Sequence, residues 1–536
     1  MRKINSIVLV MFVFLALAFS VRLIPLQWSP LPYNIDGLSE VRVAQDIATT
    51  GRMDFPPNAS YTQSYVSDMP VLGLVLAFFS SSLGTEPISS AQVLTSFIGS
   101  FAALMLYAII ARWRSSRASV AAMLSVALLG SFVFSAGCTW KETLGFLLLL
   151  MALYVYPSRD RPSHAYVLLS CLVLLPFTHH HATIVGFVIV TFAILIEYAN
   201  RSWGSPMTDR EFYDGLLLFS IWFIAVFYYY FIKLPYLDYL SPQTDLYLYV
   251  AVAFLLLVVC VRMSRRNGAL SRLPLALVVP AAGAALMLFN YFDPLFPGTP
   301  APAIAIAVPF LAYLILVVPA WQGARLALAR VGDAKNLVLA MVFGPLSFIL
   351  FSFLRGLDAT SYTIMFRTFD FLMPVFAIFI GLGFAALVKG REKLGIVAGI
   401  SLVVVCASTL PVAYNSQELF GVENQTYWFE YDAFEWFSQH GIGSVASDQR
   451  LSETGNRLFD LVGARGLPYD LREGLSLEQG RFYVVEGQWS TKGAQEFPLG
   501  VVVVEKEHLS DAVESAHVIY IGGSVGGQLT LFRAMP

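Results

Sequence analysis

Ile4-Asn-Ser-Ile-Val-Leu-Val-Met-Phe-Val-Phe-Leu-Ala-Leu-Ala-Phe-Ser-Val-Arg-Leu-Ile24, followed by Tyr33-Asn-Ile-Asp-Gly-Leu-Ser-Glu-Val-Arg-Val-Ala-Gln-Asp-Ile-Ala-Thr-Thr-Gly51, sets the plan of the chain. The first run has about the 20 apolar residues that a membrane helix needs, and Arg2 and Lys3 precede it. A secretory leader has a shorter apolar core, about 7 to 15 residues, and a small-residue cleavage site. Neither feature is present, so the run reads as a retained first helix. The second run is polar and places Asp36 just past that helix, on the face opposite the basic N-terminus.

The rest of the chain agrees with a membrane protein. Hydrophobic residues make up 57% of it and charged residues 13%, with a mean hydropathy of +0.67; soluble domains carry about 25% charged residues. A net charge of -2 gives no reason to expect nucleic acid as a partner. Cys138, Cys171, Cys260 and Cys406 fall in or beside apolar segments without paired spacing, so they read as small buried hydrophobes and argue against a disulfide framework.

The length criterion places thirteen spans, near 5–25, 91–111, 118–136, 143–156, 165–178, 182–199, 214–233, 246–262, 273–290, 302–320, 336–354, 369–388 and 394–412. Basic residues then gather in alternate loops, as the positive-inside rule requires: Arg112 to Arg117, Arg159 and Arg161, Arg201 and Arg210, Arg262 to Arg272, Arg325 to Lys335 and Lys389 to Lys393 share the side of Arg2. The N-terminus is expected to be cytoplasmic. The apolar stretch Met69–Phe79 is too short to cross and is expected to be re-entrant within a long outer loop, 27–90.

Beyond Leu410-Pro-Val the composition becomes that of a soluble domain. Tyr431–His440 reads as a helix, and Gly443–Ser447, Arg472–Glu486, Val501–Val504 and His517–Ile521 as strands. The expected fold is a polytopic α-helical membrane protein with about 13 transmembrane helices, 1–412, and a small α/β extracytoplasmic domain, 413–536. Of three Asn-x-Ser/Thr triplets, those at Asn58 and Asn424 are expected outside and that at Asn200 inside. No glycine-rich loop follows a strand, so nucleotide binding has no support.

Ionisable groups at membrane depth are functional or paired, and several collect at the outer ends of the spans. Asp36 opens a predicted helix ending at Gly51; it is either the cap of that helix or a general base or metal ligand. Glu40, one turn on, shares its face. In Gly137-Cys-Thr-Trp-Lys-Glu-Thr-Leu-Gly145, Lys141 and Glu142 form a charged pair, either an interfacial anchor or a phosphate-neutralising cation beside a carboxylate for a divalent ion. His179, His180 and His181 stand at a helix boundary. Consecutive side chains diverge by about 100°, so the three ligate one metal only if the backbone there is irregular; otherwise they suit phosphate or sugar hydroxyls, or capping. Arg355 and Arg367 flank a late outer loop. Arg367 either pairs with Asp370 or offers its fork to a lipid phosphate.

The segment Ile35 to Arg52 resembles the first-loop motif of archaeal oligosaccharyltransferase catalytic subunits and related members of the GT-C superfamily of membrane glycosyltransferases. Asp68-Met-Pro-Val-Leu-Gly-Leu, with Leu83-Gly, is similar to the Pro-Pro-Leu segment of the mannosyl- and aminoarabinosyl-transferase branch. Two carboxylates one residue apart in the second loop are replaced here by Lys141-Glu142. The Trp-Trp-Asp-Tyr-Gly motif is absent, and Trp428-Phe-Glu-Tyr-Asp432 stands near its place.

The resemblance implies an inverting transfer of sugar from a polyprenyl- or dolichyl-phosphate donor, on the outer face, to a glycan, lipid or protein acceptor. Asp36 would be the base, with Glu142 also catalytic. Glu40, Lys141, His179, His180, His181, Arg355 and Arg367 would bind substrate, and Asp36 with Glu142 would hold any Mg²⁺ or Mn²⁺. A transporter of lipid-linked sugars, expected to show repeated halves, and a polysaccharide polymerase or ligase are the alternatives.

Overall fold

The computed structural model describes residues 2–53, 68–113, 116–201, 208–232, 242–265, 274–292, 307–329, 333–356, 358–390, 392–414, 425–464, 466–496, 500–524 and 527–535. The triplets at Asn58 and Asn424 lie outside these residues.

Apolar runs become helices because hydrocarbon offers no partner to a backbone amide, which must therefore bond within its own segment. In chain order they are α1 (Arg2–Arg22), α2 (Asp36–Thr50), α3 (Val71–Leu83), α4 (Pro87–Trp113), α5 (Ser116–Leu128), α6 (Gly130–Ser135), α7 (Lys141–Val155) and α8 (Pro162–Leu174). There follow α9 (His180–Ala199), α10 (Asp209–Phe231), α11 (Pro242–Arg265), α12 (Pro274–Phe292), α13 (Ala307–Leu328), α14 (Asp333–Arg355), α15 (Ala359–Leu387) and α16 (Glu392–Ala407).

Among the described residues, eight helical runs are long and apolar enough to cross a membrane: α4, α9, α10, α11, α13, α14, α15 and the run 395–414 that contains most of α16. The count of thirteen read from the sequence is larger because it also takes in α1 and α12, which are 21 and 19 residues long, and three shorter segments. The expected span 118–136 divides into α5 and α6 at Leu129, where ψ turns to 113°. The segments expected at 143–156 and 165–178 are the 15-residue α7 and 13-residue α8. At 1.5 Å per residue these rise about 20 Å, short of a hydrocarbon core of about 30 Å. The same arithmetic applies to the 13-residue α3, which packs on α2 and α4.

The long α15 packs against α5, α13 and α14. Glycines set its approach to α13: a Cβ on Gly323 would lie 1.8 Å from the Phe379 carbonyl oxygen, and one on Gly383 would lie 1.8 Å from that of Pro319. Such backbone contact is how helices associate where no hydrophobic force draws them together. It holds Arg367, on the first half of α15, in register with the bundle.

At one end of the bundle a buried glutamine ties three segments together. Gln92 donates to the carbonyls of Arg22 (3.1 Å) and Gly137 (2.8 Å), while its Oε1 accepts from the Tyr33 amide (3.0 Å) and the Thr139 hydroxyl (3.0 Å). The end of α1, the approach to α2 and the turn before α7 thus share one residue.

A second core follows. Helix α17 (Trp428–Gln439), β1 (Ser444–Ala446), α18 (Gln449–Phe459), β2 (Val462–Ala464), β3 (Phe482–Glu486), β4 (Ala494–Glu496), β5 (Gly500–Val502), α19 (Lys506–Glu514), β6 (Ala516–Ser524) and β7 (Gly527–Ala534) build it. The main sheet has the order β2-β1-β3-β7-β6, with β1 parallel to β2 and β3, and β7 antiparallel to β3 and β6. Phe434, Phe437, Val484, Leu529 and Phe532 fill its interior. The strand expected over 472–486 is confined to β3, because Leu467–Arg472 is helical and Gly474 and Gly480 adopt positive φ before it.

Candidate functional site

The site is built where α2, the turn before α7, the start of α9, α15 and α18 meet. Its placement begins with Asn34, which sits at φ 90° and turns the chain into α2. The Asn34 side chain accepts the Asp36 amide (2.9 Å), and its carbonyl accepts that of Gly37 (3.0 Å). The residue flanking α2 is Ile35, with no side-chain cap. An orphan donor of the helix end is thereby met by Asn34, and the Asp36 carboxylate is directed elsewhere.

It faces two guanidinium groups. Asp36 Oδ1 accepts from Arg457 Nη1 of α18 at 2.8 Å, and Oδ2 accepts from Arg367 Nη2 of α15 at 3.4 Å. Burial alone would raise this carboxyl; Arg457 and Arg367 outweigh it and hold the group below the usual carboxylate range. The side chain keeps 37% of its exposure, so the carboxylate is ionised and reachable.

Gly37 explains the close seat of α2. A Cβ there would lie 2.3 Å from the Thr139 carbonyl oxygen, a backbone atom that cannot move aside like a flexible side chain. We expect Gly37→Ala to displace the first turn of α2 and to lower any Asp36-dependent activity by about 10²-fold, the penalty of roughly a 1 Å misplacement. Steady-state rates alongside circular dichroism will check this; near-normal activity would show that the turn can yield.

Arg367 is shared. Its Nη1 lies 3.6 Å from Glu142 Oε2, and its guanidinium stands 5.7 Å from the centre of the Trp140 ring. Trp140 is fixed in turn by its indole N–H, which donates to the Ser135 carbonyl (2.8 Å). Glu142 is fully buried, and neither carboxylate oxygen has a hydrogen-bond partner among the described residues. Asp370 is buried on the same helix as Arg367, and its Oδ2 is likewise unpartnered.

Glu40 lies one turn beyond Asp36 and is 1% exposed. Its Oε1 stands 3.6 Å from Lys141 Nζ. Burial raises the Glu40 carboxyl to about 7, with Lys141 pulling the other way. A raised carboxyl keeps its proton in the folded state after the unfolded chain has lost it, so stability falls as pH rises from about 4.5 to 7 and levels off above. Glu40→Gln should flatten that part of the stability curve, read as thermal midpoint against pH; an unchanged slope would assign it to another group.

The three histidines separate. His179 caps α9 through Nδ1, which accepts the Ala182 amide at 3.2 Å. His181 meets α15, with Nε2 3.1 Å from the Thr368 hydroxyl, next to Arg367. The ring of His180 lies between its neighbours, at 4.9 Å from His179 and 6.5 Å from His181.

Two groups read from the sequence as ligands make other contacts. Arg355 bonds Asp358 (2.6 Å), Asp245 (3.2 Å) and the Ser361 hydroxyl (3.0 Å); these carboxylates satisfy its charge at the junction of α11, α14 and α15. The pairing of Asp36 with Glu142 around Mg²⁺ or Mn²⁺ does not fit the donors. The Arg367 guanidinium already bridges the two carboxylates, at 3.4 and 3.6 Å, so a divalent ion would share its place with a fixed positive charge. Among the described residues no three His, Cys, Asp or Glu side chains converge on a metal position.

Arg457, Asn34, Gln92 and Trp140 carry the geometry without having stood out in the sequence. Arg457 lies four residues after Glu453 and bonds it (2.8 Å), the spacing of an ordinary solvated helix face. Its reach into the site depends on α18, which is anchored by a buried arginine. Arg450 donates to Glu430 of α17 (2.8 Å) and Glu486 of β3 (2.9 Å).

No protein-family model matches the chain, and no curated protein matches it. Solved structures do. The oligosaccharyltransferase of Archaeoglobus fulgidus in the apo form aligns with a TM-score of 0.54 and 12% identity, over 99% of this chain and 75% of that one. The archaeal oligosaccharyltransferase AglB from Archaeoglobus fulgidus, in complex with an inhibitory peptide and a dolichol-phosphate, aligns with a TM-score of 0.52 and 14% identity, over 99% and 74%. The arabinofuranosyltransferase AftD from Mycobacteria gives 0.51 and 12%, over 99% of this chain and 40% of that one. These are GT-C glycosyltransferases, and this chain has their fold.

Proposed function

We propose, taking the GT-C fold as premise, that the chain is an integral membrane glycosyltransferase using a polyprenyl- or dolichyl-phosphate-linked sugar on the extracytoplasmic face. The observation that carries the reading is Asp36: a carboxylate relieved of capping by Asn34 and held ionised between two arginines. The dolichol-phosphate bound by AglB supports a lipid-phosphate donor for a chain of this fold.

In the reading, residues 1–412 form the membrane domain, and 413–536 an extracytoplasmic domain, with the N-terminus cytoplasmic. Asp36 takes the proton of the acceptor hydroxyl or amide as that atom attacks the anomeric carbon from the face opposite the phosphate. The bond between the anomeric carbon and the phosphate oxygen breaks, and the lipid phosphate leaves with the electron pair. Preorganised donors stabilise such developing charge where they need not reorganise; Arg367, with His180 and His181 beside it, supplies them. Glu142 and Trp140 aim Arg367, and the Glu40–Lys141 pair adds a further cation at the same end.

The test is transfer by purified protein in lipid nanodiscs from a mixed pool of polyprenyl-phosphate sugars, with sugar nucleotides as the contrasting donors. Product from the lipid pool with inverted anomeric configuration supports the reading. Transfer from sugar nucleotides alone, or retention of configuration, overturns it.

A further inference from the structure

The two domains are latched by arginines that run in opposite directions. From α2, Arg42 donates to the Leu458 carbonyl (2.7 Å) and to Asp460 (3.1 Å), closing the end of α18. From α18, Arg457 crosses to the start of α2, where one Nη1 bonds both the Ile35 carbonyl and Asp36 Oδ1, each at 2.8 Å. Arg457 is 7% exposed. It bonds Asp36 Oδ1 while Arg367 bonds Oδ2, so a single carboxylate spans two guanidinium groups, one on α18 and the other on α15.

An anion of the same shape can do what Asp36 does there. A phosphate monoester or diester presents two non-bridging oxygens to two arginine forks, and charge-assisted bonds of this kind are the strong ones. Asp36 and an incoming phosphate therefore compete for the same pair of cations. The geometry points to Arg457 as a second phosphate-binding residue, supplied by the C-terminal domain, which leaves Asp36 for the lipid phosphate when donor binds and so frees the carboxylate for the acceptor. This rests on the proposed function. Its consequence is order: the base is masked until the donor phosphate is in place, and the C-terminal domain closes over the donor.

Competition has a thermodynamic signature that needs no turnover. The probe is dolichyl phosphate without sugar, titrated into the full-length protein in nanodiscs. Asp36→Asn removes the competing charge and should tighten binding about tenfold, the worth of one charge-assisted bond. In an Arg457→Gln background the same Asp36→Asn change should gain less than about threefold, and Arg457→Gln alone should bind more weakly than wild type, with Arg457→Lys recovering part of the loss. An equal gain from Asp36→Asn in both backgrounds overturns the inference, as does an Arg457→Gln variant that binds dolichyl phosphate as tightly as wild type. Failure of dolichyl phosphate to bind wild type overturns the lipid-phosphate reading itself, which separates the two failures.

Discussion

Asp36→Asn is expected to lower glycosyl transfer by about 10²- to 10⁴-fold, the range a positioned general base supplies. The substitution keeps the shape of the side chain and removes its charge. Arg457 retains Glu453, and Arg367 retains Glu142, so neither guanidinium is stranded and the thermal midpoint should move little. The pairing of near-normal stability with lost turnover identifies a chemical role. Because Arg457 and Arg367 hold Asp36 below the usual carboxylate range, the wild-type rate should also stay level down to mildly acidic pH. It should fall only as that depressed carboxyl gains its proton. Retention of more than about a tenth of the wild-type rate by the variant would reduce Asp36 to a structural group.

Arg367→Ala is expected to cost about 10²- to 10³-fold in transfer, comparable to removing one preorganised donor from a developing oxyanion. Its effect on stability should differ in sign from a neutral loss. Glu142 is fully buried with no hydrogen-bond partner among the described residues, and Arg367 is its nearest counter-charge in the site. Removing one member of such a pair leaves an uncompensated buried charge, so the thermal midpoint should fall. Adding Glu142→Gln should restore the midpoint and leave transfer low. Arg367→Lys should not rescue the rate, since an ammonium cannot span two carboxylates as the planar fork does. Recovery of turnover in the double variant would show that Arg367 serves folding alone.

Much of the membrane architecture was legible in the sequence because its cause is local. A run of apolar residues is driven into the bilayer and must close its own hydrogen bonds, so helices were found wherever spans were expected, while their number as crossings depended on lengths that composition reads poorly. Asp36, Glu40, Lys141, Glu142, the histidines and Arg367 stood out for an equally local reason, since charge at the end of an apolar run is expensive. Their partners were not legible. Asp370 lies three residues from Arg367, yet the ion pairs of Arg367 run to Asp36 and Glu142, 331 and 225 positions away in the numbering.

The sequence by itself determined an α-helical membrane chain with strands confined to its last hundred residues, and a charged cluster at the start of α2. Tertiary structure alone decided that Asn34 frees Asp36 from capping, that Arg355 pairs with Asp245 and Asp358, that the Arg367 guanidinium stands between Asp36 and Glu142, and that Arg457 enters from the far end of the chain. The physical reason is range. Hydrophobic burial and backbone hydrogen bonding act on neighbours in the chain, whereas a buried charge takes whichever counter-charge the fold carries to within a few ångströms of it.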